Sequence, residues 1–239
     1  MPKRTENAPD LFAGLSLPQK EQLYAAAAEL FTDNKRQLFD HLAQQRTRHV
    51  TVVLEDIFQG HNASAVLRSC DCFGVQDAHV VERRNEYRIS PDIALGSNKW
   101  VDYHMHHDIL HTYDLLRQRG YRIVATTPHE DDALLPDLDI SQPVALVFGT
   151  ELTGLSDTAI AHADAYVKIP MYGFTESFNI SVCCALCLYS VTERMRRTPG
   201  LPWQLSPEEQ ATLKLHWSTQ AIRDGERVMR ELMERLPQS

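Results

Sequence analysis

Three short stretches of this 239-residue chain hold polar side chains of the kinds that bind and orient a ligand. "LEDIFQGHNASAVLRSCDCFGV", Leu54 to Val75, reads as a strand end, a Gly/His/Asn turn and a helix. Ala63, Val66, Leu67, Cys70 and Phe73 recur at helical spacing and give that helix an apolar face. Arg68 stands beside this face. Helical side chains lean toward the helix start, which aims Arg68 back at Asn62. "VALVFGTELTGLS" carries an apolar strand into Gly149, Glu151 and Gly154. "KIPMYGFTESFNISV" carries another into Pro170, Gly173, Ser177 and Asn179, at the mouth of the longest predicted helix. A guanidinium at such a place suits a phosphate.

Singly, each residue has an ordinary structural use. Asn62 and Ser177 are good helix caps. Arg68 can snorkel along the surface, Glu151 can be a solvated turn carboxylate, and the glycines can simply turn the chain. Recurrence at three strand ends is what marks a site. An open parallel sheet binds its ligands outside the carboxyl ends of its strands.

The elements that must position these residues follow from periodicity. "HVTVVLE", "AHVVE", "YRIVATT", "VALVFG" and "AYVKIP" are compact apolar runs rich in β-branched residues, and "VDYHMHH" is a shorter candidate. Helical patterns separate them at 62–73, 109–120, 156–163 and 177–197. Alternating strands and helices, with nearly continuous apolar strands, predict an α/β fold with a parallel sheet covered on both faces. Two helices within 16–46 precede this block, and "TPGLPW" separates it from a helical stretch at 206–236. The expected organisation is an N-terminal helical extension over 1–48, a central domain over 49–199 and a C-terminal helical extension over 200–239.

Composition narrows the class. Hydrophobic residues make up 43% and charged residues 23%, ordinary for a folded globular chain. No run approaches the roughly 20 apolar residues of a membrane span. "MPKRTENAPDLF" has no signal-type apolar core. A cytoplasmic protein is expected. The five cysteines, Cys70, Cys72, Cys183, Cys184 and Cys187, are clustered in predicted helices, and neither a disulfide framework nor a metal site is expected of them. The net charge is −8. Residues 1–48 carry 7 basic and 6 acidic side chains and residues 200–239 carry 5 and 6, which leaves 12 and 20 for the middle. Within that acidic middle lie the tight clusters Arg83, Arg84, Arg88 and Arg194, Arg196, Arg197, and Arg46, Arg48 and His49 sit at its start. Each can be a solvated face. Together they leave room for a local phosphate-binding surface.

The familiar phosphate loops do not fit. No G-x-G-x-x-G follows the first strand, and "GTELTG" lacks the lysine of a P-loop. No Gly-x-Ser-x-Gly elbow is present.

"HNASAVLRSCDCFGV", "LVFGTELTGLS" and "KIPMYGFTESFNISVCCAL" resemble, in order, the three signature motifs of the SPOUT class. More narrowly they are similar to the SpoU/TrmH-type RNA ribose 2′-O-methyltransferases, and "GSNKWV" at 96–101 matches a further TrmH-type stretch. The resemblance covers residues 47–197. It implies a Rossmann-like parallel sheet with a C-terminal deep trefoil knot, and an obligate homodimer. It implies S-adenosylmethionine as cofactor, bound by the knotted loops around Thr126, Phe148, Gly149, Ile169, Met171 and Phe178. Carried over by position, Arg68 matches the catalytic arginine, Asn62 the asparagine of the first motif, Glu151 the glutamate of the second, and Ser177 and Asn179 the pair of the third. Lys99, Arg83 and Arg84 are expected to bind substrate. The best-matched branch methylates a guanosine ribose in the D-loop of tRNA, with the terminal helices helping to hold the RNA. Ribosomal RNA is the alternative substrate, and a non-catalytic knotted RNA-binding protein a more distant one. No metal and no membrane partner are implied.

Overall fold

A computed structural model of the chain describes residues 10–57, 60–82, 96–127, 133–150, 152–175 and 177–236. Arg83, Arg84 and Glu151 therefore lie outside the described residues. The chain divides into two compact units. One spans Thr47–Trp203; the other joins residues 10–46 to residues 204–236.

The first unit is a seven-stranded sheet. Its strands in chain order are β1 (Val50–Glu55), β2 (Asp77–Val81), β3 (Asp102–His106), β4 (Arg122–Thr126), β5 (Ala133–Leu134), β6 (Val144–Phe148) and β7 (Ala165–Lys168). Their spatial order is β3-β2-β1-β6-β4-β7-β5, and every neighbouring pair is parallel. The expected parallel α/β sheet is present, with β5 as an added edge strand. Every residue of β1, β2 and β6 is buried. That is why they read as continuous apolar runs rather than alternating ones.

Helices cover both faces. Alternate residues Val50, Val52 and Leu54 of β1 join a core with Ala63, Val66, Leu67 and Cys70 of α3 (Gly60–Phe73) and Cys184, Leu188 and Val191 of α6 (Ile180–Arg197). Val53 of β1 faces the other way, into a core with Ile109, Tyr113 and Leu116 of α4 (Ile109–Gln118) and Ala159 of α5 (Asp157–Ala161). The predicted apolar face of α3 is thus its packed face, with Phe73 half-buried at its end. The cysteines are free; Cys70, Cys184 and Cys187 serve as small buried apolar residues.

The second unit is helical: α1 (Leu17–Ala28), α2 (Asp33–Gln45), α7 (Pro207–Ala221) and α8 (Gly225–Glu234). The two ends of the chain fold against each other here, which local sequence patterns cannot reveal. Leu23, Phe39, Leu213, Trp217 and Met229 are buried in it. Three of its basic residues are engaged within the unit. Lys20 Nζ meets Glu208 at 2.8 Å, Lys214 Nζ meets Asp40 at 2.9 Å, and Arg46 lies over the Trp217 ring at 5.3 Å. The predicted single helical stretch at 206–236 is broken between Ala221 and Gly225: Ile222 is extended with ψ 137°, and Asp224 takes a φ of 54° before α8 begins.

Candidate active site

The N-termini of α3 and α6 meet at an amide pair. Asn179 is the N-cap of α6: its Oδ1 accepts from Ser181 N at 2.9 Å and from Ser181 Oγ at 2.6 Å. Its Nδ2 donates to Asn62 Oδ1 at 3.1 Å. A cap contributes about 1 kcal/mol, so this residue both starts its helix and fixes Asn62. Asn62 is 9% exposed and lies inside the first turn of α3, which begins at Gly60; it is not a cap. Ser177 is exposed, two residues before Asn179.

Arg68 is exposed on α3 and makes no hydrogen bond or ion pair with another described residue. Six positions separate it from Asn62, which is about 9 Å along the helix and about 120° around it. The structure therefore joins Asn62 to Asn179 and leaves the guanidinium open to an incoming ligand. Lys99 ends the short 3-10 turn Ser97–Lys99 and is exposed.

The loop after β6 is closed tightly. Thr150 and Gly154 exchange backbone hydrogen bonds of 3.0 Å each, and Thr153 N donates to Thr150 Oγ1 at 3.1 Å. A Cβ on Gly149 would collide with the Gly154 carbonyl and the Leu155 nitrogen, so only glycine fits there. This loop carries position 151. It is anchored from β1 by a residue that motif reading passes over. Glu55 is 3% exposed, and its carboxylate accepts from Ser156 N at 2.8 Å and from Ser156 Oγ at 2.6 Å. Ser156 in turn caps α5 by accepting from Ala159 N. The available signal was a lone carboxylate ending an otherwise apolar strand. Glu55→Gln places an amide donor against these two donors, and hydrogen bonds to a buried charge are worth about 1.5–3 kcal/mol. The urea midpoint should fall by the equivalent of about 2 kcal/mol; an unchanged midpoint would remove Glu55 from this role.

The carboxyl ends of β6, β4 and β7 lie side by side. They bring together Thr126, Phe148–Gly149 and Ile169–Met171. The Thr126 hydroxyl donates to the Val147 carbonyl at 2.8 Å, and the Phe148 side chain is 2% exposed in the core. What these positions can offer a ligand is therefore mostly backbone. Ile169 and Met171 are half-buried, and Phe178 is 42% exposed. A row of backbone groups beside half-buried apolar side chains can line a small-molecule site.

Two of the basic clusters serve the fold. Arg48 pairs with Asp77 at 2.7 Å and with Asp102 at 3.2 Å. Burial alone would raise the Asp77 carboxyl; Arg48 and the hydrogen bond from His104 outweigh it and hold the group well below the usual range. His49 Nε2 meets the Ile140 carbonyl at 2.8 Å. Arg194 donates to the carbonyls of Pro136, Leu138 and Leu135, and Arg196 to that of Phe73 at 3.0 Å while lying over the Trp203 ring. Arg197 pairs with Glu193 one turn back. Arg48, His49, Arg194 and Arg196 thus tie elements of the sheet unit together, whereas Arg197 stays exposed with its partner on its own helix.

Known proteins resemble this chain in sequence and fold. The model of the SpoU rRNA Methylase family matches residues 49–189. The tRNA (guanosine(18)-2′-O)-methyltransferase of Borreliella burgdorferi is 40% identical over 82% of this chain and 90% of its own length. The crystal structure of the Aquifex aeolicus TrmH/SpoU tRNA modifying enzyme superposes with a TM-score of 0.73 at 27% identity, covering 80% of this chain and 98% of that one. The SpoU methyltransferase AviRb of Streptomyces viridochromogenes, solved with the cofactor AdoMet, shares the fold with a TM-score of 0.59 at 23% identity, over 64% and 63% of the two chains. With the family match covering more than half of its length, and with a relative this similar along nearly all of that relative's chain, the protein belongs to the SpoU rRNA Methylase family.

Proposed function

We propose that this chain methylates the 2′-hydroxyl of a guanosine ribose in the D-loop of tRNA, using S-adenosylmethionine. The observation that carries the reading is the Asn62–Asn179 amide pair, which joins two of the motif-bearing helix starts, together with an exposed Arg68 further along α3 that bonds to no other described residue. The substrate follows the relatives named for tRNA. The family description, which names rRNA, favours ribosomal RNA as a second reading.

The cofactor would lie on the carboxyl ends of β6, β4 and β7, held by backbone at Thr126, Phe148, Gly149, Ile169 and Met171, with Met171 and Phe178 against its purine. When bound it supplies a methyl group on a sulfonium. The protein's part is placement. Holding the ribose oxygen in line is worth several kcal/mol. Arg68 grips the adjoining phosphate and stabilises charge growing on the 2′-oxygen; a guanidinium stays protonated in nearly every protein setting, so the hydroxyl proton passes to solvent water as the oxygen takes the methyl. Asn62 and Asn179 fix the floor of the site, and Ser177 and Glu151 orient the ribose. Lys99, Arg83 and Arg84 bind the RNA backbone.

The same reading extends to topology and assembly. The chain following β6 passes through the loop following β4 and makes a deep trefoil knot, a loop that Arg194 pins through three carbonyls. Two copies pair through α6, where Val182, Leu186 and Tyr189 are 46%, 39% and 57% exposed on one helical face. No described helix is long and apolar enough to cross a membrane; the proposed setting is the cytoplasm, where tRNA is found.

The test is transfer of labelled methyl from S-adenosylmethionine to unmodified tRNA and, in parallel, to ribosomal RNA. Label on tRNA supports the reading. Label on ribosomal RNA alone replaces it with the second.

A further inference from the structure

The loop between β7 and α6 holds two aromatic rings that the fold does not use. Tyr172 is 96% exposed and Phe174 is fully exposed. Neither makes a ring contact or hydrogen bond with another described residue. A Cβ on Gly173, between them, would meet nothing within 4 Å, so the loop stands clear of its surroundings. The large aromatics the fold does need are buried, Phe148 at 2% and Tyr113 at 0%. Placing two rings in water at the mouth of the site has no folding benefit.

Their position points to what they meet. The loop runs straight into Asn179, which holds Asn62. Arg68 and Lys99 are exposed cations without an ion pair to any described residue. Cations for phosphates and rings for bases are the two halves of a surface for unpaired RNA. The apolar face on α6 is a separate helical feature and does not include these two residues. We infer that Tyr172 and Phe174 are base-stacking residues, whose rings lie against the target base or its neighbour while Arg68 takes the phosphate. This rests on the reading that the substrate is tRNA. Stacking also accounts for loop residues with no hydrogen-bonding role, because every base offers a π-face.

The test compares Phe174→Leu and Tyr172→Leu, which keep apolar bulk but remove the flat ring, with Phe174→Tyr, which keeps it. Three quantities are measured on the full-length protein: tRNA affinity by filter binding, S-adenosylmethionine affinity by calorimetry, and oligomeric state by ultracentrifugation. The leucine variants should each lose at least about fivefold in tRNA affinity. Phe174→Tyr should stay near the parent, and the other two quantities should not move. Unchanged tRNA affinity in both leucine variants, in a parent that methylates tRNA, overturns the stacking role and leaves the tRNA reading standing. Weakened donor binding would make the loop a cofactor cover, and a changed oligomeric state would make it a subunit contact; either overturns the inference. A parent that neither binds nor methylates tRNA removes the tRNA reading itself, and stacking on tRNA with it.

Discussion

Arg68→Ala is expected to lower kcat/KM for methyl transfer by about a hundredfold to a thousandfold, the usual loss when a donor aimed at developing oxyanion charge is removed. S-adenosylmethionine affinity and the thermal midpoint should stay close to those of the parent. Arg68 is exposed and bonds to no other described residue, so its removal takes nothing from the fold. Arg68→Lys sharpens the point. Lysine keeps the charge but loses the planar fork that grips a phosphate with two parallel hydrogen bonds. It should remain within about tenfold of the alanine variant. A lysine variant with most of the parent activity would mean that a point charge suffices. The bidentate grip would then be wrong, even though the position would still matter.

A charge placed in the exposed face of α6 should separate the subunits. Val182 and Leu186 are solvent-facing in a single chain, at 46% and 39% exposure, so Val182→Asp with Leu186→Glu should leave the far-ultraviolet circular dichroism unchanged. In a two-fold interface each substitution appears twice, once from each copy. Burying those unpaired carboxylates costs several kcal/mol. Sedimentation should show a monomer, and methyl transfer should fall below about one per cent of the parent if the site is completed across the interface. A stable dimer, or a fully active monomer, would contradict the proposed assembly.

Much of the sheet unit was legible because its strands are buried on both faces and so read as unbroken β-branched runs. β5 was not legible. Ala133–Leu134 is only a dipeptide, exposed, and without periodicity. The partners of two of the basic clusters were not legible for a related reason. Charge spacing along the chain does not show that Arg48 meets Asp77, 29 residues away, or that Arg194 caps carbonyls near residue 136. Those partners exist only once β2 lies beside β1 and α6 beside the β5–β6 connection. The site motifs were legible as strand ends, but their internal wiring was not. The lean of helical side chains aims Arg68 toward Asn62, yet the two are turned about 120° apart. The partner of Asn62 is Asn179, 117 residues on, a contact set by the packing of α3 on α6. Glu55 went unnoticed because a carboxylate at a strand end looks like the start of a solvated turn, and only the fold brings Ser156 onto it.

The central claim is a methyl group on the ribose of a D-loop guanosine, and the direct measurement is to find it. Unmodified tRNA is incubated with the protein and S-adenosylmethionine, digested, and read by mass spectrometry of its fragments. The account predicts one added methyl on a D-loop guanosine, carried by the ribose and not the base, and absent when Arg68→Ala replaces the parent. A methyl on a base, on a nucleotide outside the D-loop, or undiminished in the variant would contradict it.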